Sequence, residues 1–238
     1  MVFVVIIVKI EIVKKSYKNV TNMKVLIFDT ETTGLPKGKA TPKETEKWPY
    51  IIQLSYILFD VSTNKIIVNH DHVVKIDEDV ELTQKSFEMH GISKEKSRTE
   101  GIDIKLAIEL FNICLKETNI LIAHNIQFDK NMIMAECLRH NIQPQFSKYR
   151  YLEYCTMKRS DELCGIKTLH KPSGRTYIKF PTLTELHEKL FNVKPKGTHN
   201  SYIDILICLR CYYKLMFDKD VCFENKSIQK EFRKICNL

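Results

Sequence analysis

The sequence predicts an α/β fold, a mixed five-stranded sheet flanked by helices, on three observations. A short, almost wholly apolar run, KVLIFDT from Lys24, suits a strand covered on both faces. Two further apolar segments, YIIQLSYILFD and KIIVNHDHVVKI, face each other across VSTN as a hairpin and extend that strand into a three-stranded antiparallel meander. Beyond them, short apolar runs alternate with segments of helical period, the mark of strands joined by crossover helices.

In order along the chain, LTQKSFEMHGI predicts a short helix stopped by Gly91, and IDIKLAIELFNICLKE an amphipathic helix whose apolar face packs on the sheet. ILIAH after Asn119 predicts a fourth strand, FDKNMIMAECLRH a helix, and Tyr151 to Thr156 a further short strand. The helices TLTELHEKLF and YIDILICLRCYYKLM close the domain. The expected division is an N-terminal extension over 1–22, a domain over 23–217 and a basic tail over 218–238. Within that tail Ile228, Phe232 and Ile235 fall at i, i+4 and i+7, a small amphipathic helix expected to dock on the domain. CGIKTLHKPSGRTYIKF, rich in Lys, Arg and Tyr, reads as a solvated connection, with contact to nucleic acid as the sharper alternative.

Composition narrows the class. With 238 residues, 44% hydrophobic and 28% charged, the chain can bury a core as one large domain. Disordered and collagenous proteins are excluded. The net charge of +8 would suit a polyanionic partner, and a solvated lysine-rich surface explains it equally well. The 8 Cys are scattered rather than clustered and read as reduced thiols of an intracellular, cytoplasmic protein, with the nucleus also open. Cys208 and Cys211 form a CxxC, but inside an apolar helical run, where that spacing is core periodicity. VFVVIIV at Val2 to Val8 is too short for a span of about 20 residues and lacks the flanks of a secretory signal. No membrane association is expected. Residues 1–22 precede the first convincing strand and could add a strand to the sheet.

Four acids stand where a soluble fold has little reason to place them. Asp29 and Glu31 end a central apolar strand, and the two-residue period puts both carboxylates on one face. Their repulsion calls for a raised pKa or bound cations, and hard oxygen ligands suit Mg2+ or Mn2+. Asp129 follows His124 and Asn125 at a helix start, where an acid also complements the helix dipole. Asp204 fits a capping pattern with Ser201. His199 lies five positions earlier, about 140° away on a continuous helix, so it reaches the same site only from the loop after Gly197.

Together FDTETTGLP (Phe28 to Pro36), AHNIQFD (Ala123 to Asp129) and HNSYID (His199 to Asp204) resemble the three motifs of the DnaQ-like 3'→5' exonucleases. The resemblance is to the DEDDh branch, which includes the proofreading epsilon subunit of bacterial DNA polymerase III. WPYIIQLSYILFD, HGIS, CTMKRS and KFPTLTELHEKLF extend it over roughly residues 23 to 217. It implies an RNase H-like fold and two Mg2+ or Mn2+ ions held by Asp29, Glu31, Asp129 and Asp204. His199 would be the general base, and nucleoside 5'-monophosphates the products. The backbone at Thr32, with Leu35, His90 and Asn125, matches the family's substrate-gripping positions, although Leu35 also reads as turn packing and His90 as a helix terminus. His124 is expected to order its loop. The implied substrates are single-stranded or frayed DNA 3' ends in proofreading or repair, with a DNA polymerase as a candidate partner. RNA trimming and a non-catalytic module that binds nucleic acid or a polymerase are the alternatives. Oligomeric state is not legible.

Overall fold

A computed structural model describes residues 22–236. Five strands build the sheet: β1 (Lys24–Thr32), β2 (Ile51–Asp60), β3 (Lys65–Val73), β4 (Ile120–Ala123) and β5 (Leu152–Cys155). Their order across it is β3-β2-β1-β4-β5. β1, β2 and β3 pair antiparallel, whereas β1 with β4 and β4 with β5 are parallel. This is the mixed sheet expected, with β1 at its centre, which is why that strand is apolar on both faces. The expectation of an extra strand within residues 1–21 lies outside the described residues.

Alternation along β1 sends its two faces into two cores. Leu26 and Phe28 pack with Ile108 and Phe111 of α3 (Ile104–Lys116) and Met132 and Ile133 of α4 (Ile126–Arg139). Val25 and Ile27 pack with Ile205, Leu209 and Tyr212 of α7 (Ser201–Phe217). Two short helices, α1 (Gln84–His90) and α2 (Lys94–Glu100), follow the meander. Gly91 ends α1 with φ +70°, a left-handed stop that favours glycine. α6 (Leu183–Phe191) opens on a full capping box between Thr182 and Glu185.

One region is more ordered than the sequence reading anticipated, whereas the C-terminal tail docks on the domain as expected. Asp161–Cys164 forms a helical turn, α5, and the segment expected to be a solvated connection is instead a β-hairpin of β6 (Lys167–His170) and β7 (Arg175–Ile178). After α7, α8 (Val221–Glu224) and α9 (Lys226–Cys236) fold back on the domain. Ile228 and Phe232 are fully buried and Ile235 nearly so, in the same core as α7. Buried Arg210 anchors this end: it forms a two-pronged ion pair with Asp220 at 3.0 and 2.6 Å, meets His187 at 3.1 Å and lies over the rings of Phe191 and Phe232. Among the described residues no helix is long and apolar enough to cross a membrane.

Candidate active site

The site forms at the carboxyl end of β1, where groups from both layers of helices meet. Asp29 and Glu31 face α7 and Thr30 faces α4, by the strand's two-residue period. Asp204, in the first turn of α7, completes the first group: ligand oxygens of Asp29, Glu31 and Asp204 lie within 4.8 Å of one another. Asp129 arrives from the opposite face. It is buried in the first turn of α4, and its Oδ1 accepts from the Thr30 backbone N–H at 3.1 Å and from Thr30 Oγ1 at 2.8 Å. Asp129 is therefore pinned to the residue between the other two acids, beyond the span of the three-acid group.

Electrostatics marks the same four residues. Burial and then the charges of Asp129, Asp204 and Glu31 hold Asp29 well above the ordinary carboxylate range. Burial first, then Asp204 and Asp129, push Glu31 up to about 8. Burial raises Asp129 and Asp204 to about 7, against the hydrogen bonds from Thr30 and His199 respectively. Asp29 and Glu31 keep part of their surface open to solvent, so the cluster has a mouth. No lysine or arginine among the described residues appears among the influences on these carboxylates. Asp29, Glu31 and Asp204 offer hard oxygen donors within reach of one another, with no lysine or arginine paired to them among the described residues, and such a group fits a divalent cation.

His199 stands in the loop before α7, with φ +72° and its side chain exposed. Its backbone N–H donates to Asp204 Oδ2 at 2.9 Å, so histidine and acid are fixed to each other although five residues apart. The expected cap is corrected here. Asn200, not Ser201, is the N-cap, accepting from Ile203 N–H at 3.3 Å, and Ser201 is the first residue of the helix. The Asp204 carboxylate accepts from His199 instead of closing a capping box on Ser201.

Sequence reasoning missed a buried polar layer behind the acids. The antiparallel register places Ser55 opposite Asp29 and Gln53 opposite Glu31. Gln53 Oε1 accepts from the Ser201 backbone N–H at 3.2 Å, Ser55 Oγ pairs with Ser201 Oγ, and both Gln53 and Ser55 donate to Asp71 Oδ1 at 2.7 and 2.8 Å. These bonds set the start of α7 and hence the height of Asp204. The only signal in the sequence was Gln and Ser on an otherwise apolar strand. Thr30 was missed for the same reason, since its partner is 99 residues away.

The remaining candidates fall at the end of β1, the end of α1 and the start of α4. Thr32 is buried, its hydroxyl donating to the Gly34 carbonyl at 2.7 Å, whereas Leu35 is 71% exposed beyond that turn. His90 accepts from Ile92 N–H at 3.0 Å through Nδ1, and its ring lies at the Thr32 backbone, so α1 props the strand end. Asn125 caps α4 in the left-handed region at φ +74° without a side-chain cap bond. His124 orders its loop: Nδ1 meets Thr156 Oγ1 at 2.9 Å and Nε2 the Pro181 carbonyl at 3.0 Å, and burial lowers it to about 4.

The exonuclease family profile RNase_T matches residues 26–212, a span that holds all these acids and His199. The chain belongs to the RNase_T exonuclease family. Among solved structures it is similar to exonuclease I in its product-bound form, with 14% identity and a TM-score of 0.62 over 84% of this chain and 44% of that one. The E. coli enzyme in complex with a dA16 oligonucleotide gives 16%, 0.59, 88% and 45% in the same order. A moderately thermophilic exonuclease I from Methylocaldum szegediense gives 17%, 0.59, 89% and 45%. At such identities the likeness speaks for the fold. The chain spans less than half the length of these proteins. No curated protein matches it.

Proposed function

We propose that this exonuclease removes nucleotides one at a time from the 3' end of single-stranded DNA and releases nucleoside 5'-monophosphates. The observation that carries the reading is the meeting of Asp29, Glu31 and Asp204 within 4.8 Å, with His199 tied to Asp204 at 2.9 Å. Asp29, Glu31 and Asp204 would hold one divalent ion, and Asp29 with Asp129 a second. Such a pair, Mg2+ or Mn2+, supplies charge neutralisation and nucleophile activation for an in-line phosphoryl displacement.

The protein's own groups do the rest. His199, exposed and held by its backbone, takes the proton of the attacking water at a ring nitrogen. Water oxygen adds to phosphorus, the bond from phosphorus to the 3' oxygen of the preceding nucleotide breaks, that oxygen takes up a proton from solvent to become a hydroxyl, and the phosphate stays on the 5' oxygen of the released nucleotide. Thr32, Leu35, His90 and Asn125 would form the rim against which the terminal nucleotide rests, and the exposed Leu35 would wedge beside a base. DNA is preferred over RNA as the proposed substrate because the similar exonuclease I structures include complexes with dA16 and dT13 oligonucleotides.

The test uses 5'-labelled single-stranded DNA and RNA of equal sequence with Mg2+ or Mn2+, beside Asp29→Ala and EDTA controls. A DNA ladder shortening from the 3' end, absent in both controls, supports the proposal. RNA shortened in preference to DNA reassigns the substrate. A folded protein that binds but shortens neither strand overturns the catalytic reading.

A further inference from the structure

We infer that the β6–β7 hairpin is a nucleic-acid arm that grips the single strand on the 5' side of the nucleotide being removed, an inference that rests on the exonuclease reading of the site. Three independent features meet in it. First, the arm carries charge of one sign: Lys167, Lys171, Arg175 and Lys179 lie in a stretch with no acid between Glu162 and Glu185. Lys179 is engaged by Glu185 at 2.6 Å, which leaves Lys167, Lys171 and Arg175 for an outside partner.

Second, its two faces differ. The register pairs Thr168 with Tyr177 and His170 with Arg175, so these four side chains share one face, while Lys167, Leu169, Thr176 and Ile178 share the other. Tyr177 is 51% exposed and meets the His170 ring at 6.5 Å, edge-on, with Arg175 beside them. Two rings for base stacking next to a guanidinium for phosphate is the combination by which single strands are held without sequence preference. No other part of the described chain packs on this face closely enough to cover Tyr177.

Third, the root of the arm is fastened to the loop between β4 and α4, the helix that carries Asp129. The carbonyl of Pro181, just after the hairpin, meets His124 Nε2 at 3.0 Å, and His124 follows β4, the strand that runs parallel to β1 with Ile122 opposite Ile27. The hairpin therefore rises from the same edge of the sheet that carries Asp29. Four residues per strand give the arm a length of about 13 Å.

The experiment compares wild type with Arg175→Ala/Tyr177→Ala, and with Leu169→Ala/Ile178→Ala on the opposite face. Binding of a fluorescein-labelled oligothymidylate of about twenty nucleotides is read by anisotropy in EDTA across a salt series. Hydrolysis of the p-nitrophenyl ester of thymidine 5'-monophosphate with Mn2+ reads the active site without the arm. The inference expects Arg175→Ala/Tyr177→Ala to weaken oligonucleotide binding about tenfold and to flatten the salt dependence by about 0.7 in log–log slope, for the one phosphate that Arg175 no longer neutralises. Ester hydrolysis stays unchanged, and the Leu169→Ala/Ile178→Ala protein binds as wild type does. Unaltered oligonucleotide binding in Arg175→Ala/Tyr177→Ala, or a loss confined to the opposite-face variant, overturns it. A wild-type protein that hydrolyses neither ester nor oligonucleotide sinks the exonuclease reading, and the anisotropy comparison still decides the arm.

Discussion

Asp29 is the residue on which the other acids converge, and its chemistry follows from being crowded. Burial and three like charges favour its protonated form, so in the metal-free protein the cluster costs stability at neutral pH. The sign is set by carboxylates whose folded pKa lies above the unfolded value of about 4. Their cost is absent below that value and grows as pH rises toward about 8, where Glu31 ionises. Melting of the metal-free protein is therefore expected to show Asp29→Asn more stable than wild type at pH 8, by on the order of 1 kcal/mol, and nearly equal to it at pH 5. Equal melting curves at pH 8 would contradict the repulsion argument. Mg2+ should raise the wild-type melting temperature and leave that of Asp29→Asn almost unmoved. His199 acts differently, through an exposed ring on a fixed backbone. His199→Ala is expected to lower turnover by about a hundred- to ten-thousand-fold with an unchanged melting temperature, since its structural bond is made by the backbone N–H.

At the scale of elements, the start of α7 decides where Asp204 sits. Gln53 reaches across from β2 to the Ser201 N–H, so strand and helix are joined by a buried hydrogen bond rather than by apolar contact alone. Gln53→Leu keeps the volume and strands that N–H, while Asp71 keeps its bond from Ser55. A stability loss of about 1–3 kcal/mol is expected, with a raised Mg2+ requirement in the exonuclease assay. A variant with normal Mg2+ dependence would show that α7 is placed by its core alone. The elements themselves were legible where one period ruled: β1, β2, α3 and α7 follow from apolar spacing within the segment. The hairpin of β6 and β7 was not, because its strands are short, polar and exposed, so no buried face imposes alternation. The helix cap at Asn200 was missed because Ser201 fits the same rule, and only its bonds to Ser55 and Gln53 take it out of the capping role.

For the whole molecule, the C-terminal helices close the core that backs the site. Phe232 is fully buried against the Arg210 and His187 layer, and Phe232→Ala is expected to cost about 3–5 kcal/mol in chemical denaturation. The Asp220 carboxylate is held below the ordinary range, the Arg210 hydrogen bonds overcoming the effect of its burial. A depressed folded pKa gives stability that is present above the unfolded value of about 4 and lost as pH falls through the folded one. Asp220→Asn should therefore remove stability at pH 7 and flatten its decline below pH 4. A decline as steep as that of wild type would place the acid sensitivity elsewhere. The two titrating regions oppose each other in separate windows, the active-site acids above pH 4 and Asp220 below it.

Apolar periodicity sufficed for the five strands of the sheet and the long helices, and motif resemblance pointed to the five residues on which the proposed chemistry rests. Apolar periodicity is a local property, and motif residues at a strand end or a first helical turn inherit their place from it. Tertiary structure alone decided that Asp129 comes from one face of the sheet and Asp204 from the other, and that Thr30 holds the former while Gln53 and Ser55 brace the helix of the latter. It also decided that a stretch resembling a linker folds as a hairpin. Each of these depends on hydrogen bonds between residues far apart in the chain or on strand register, and neither leaves a periodic trace in the sequence.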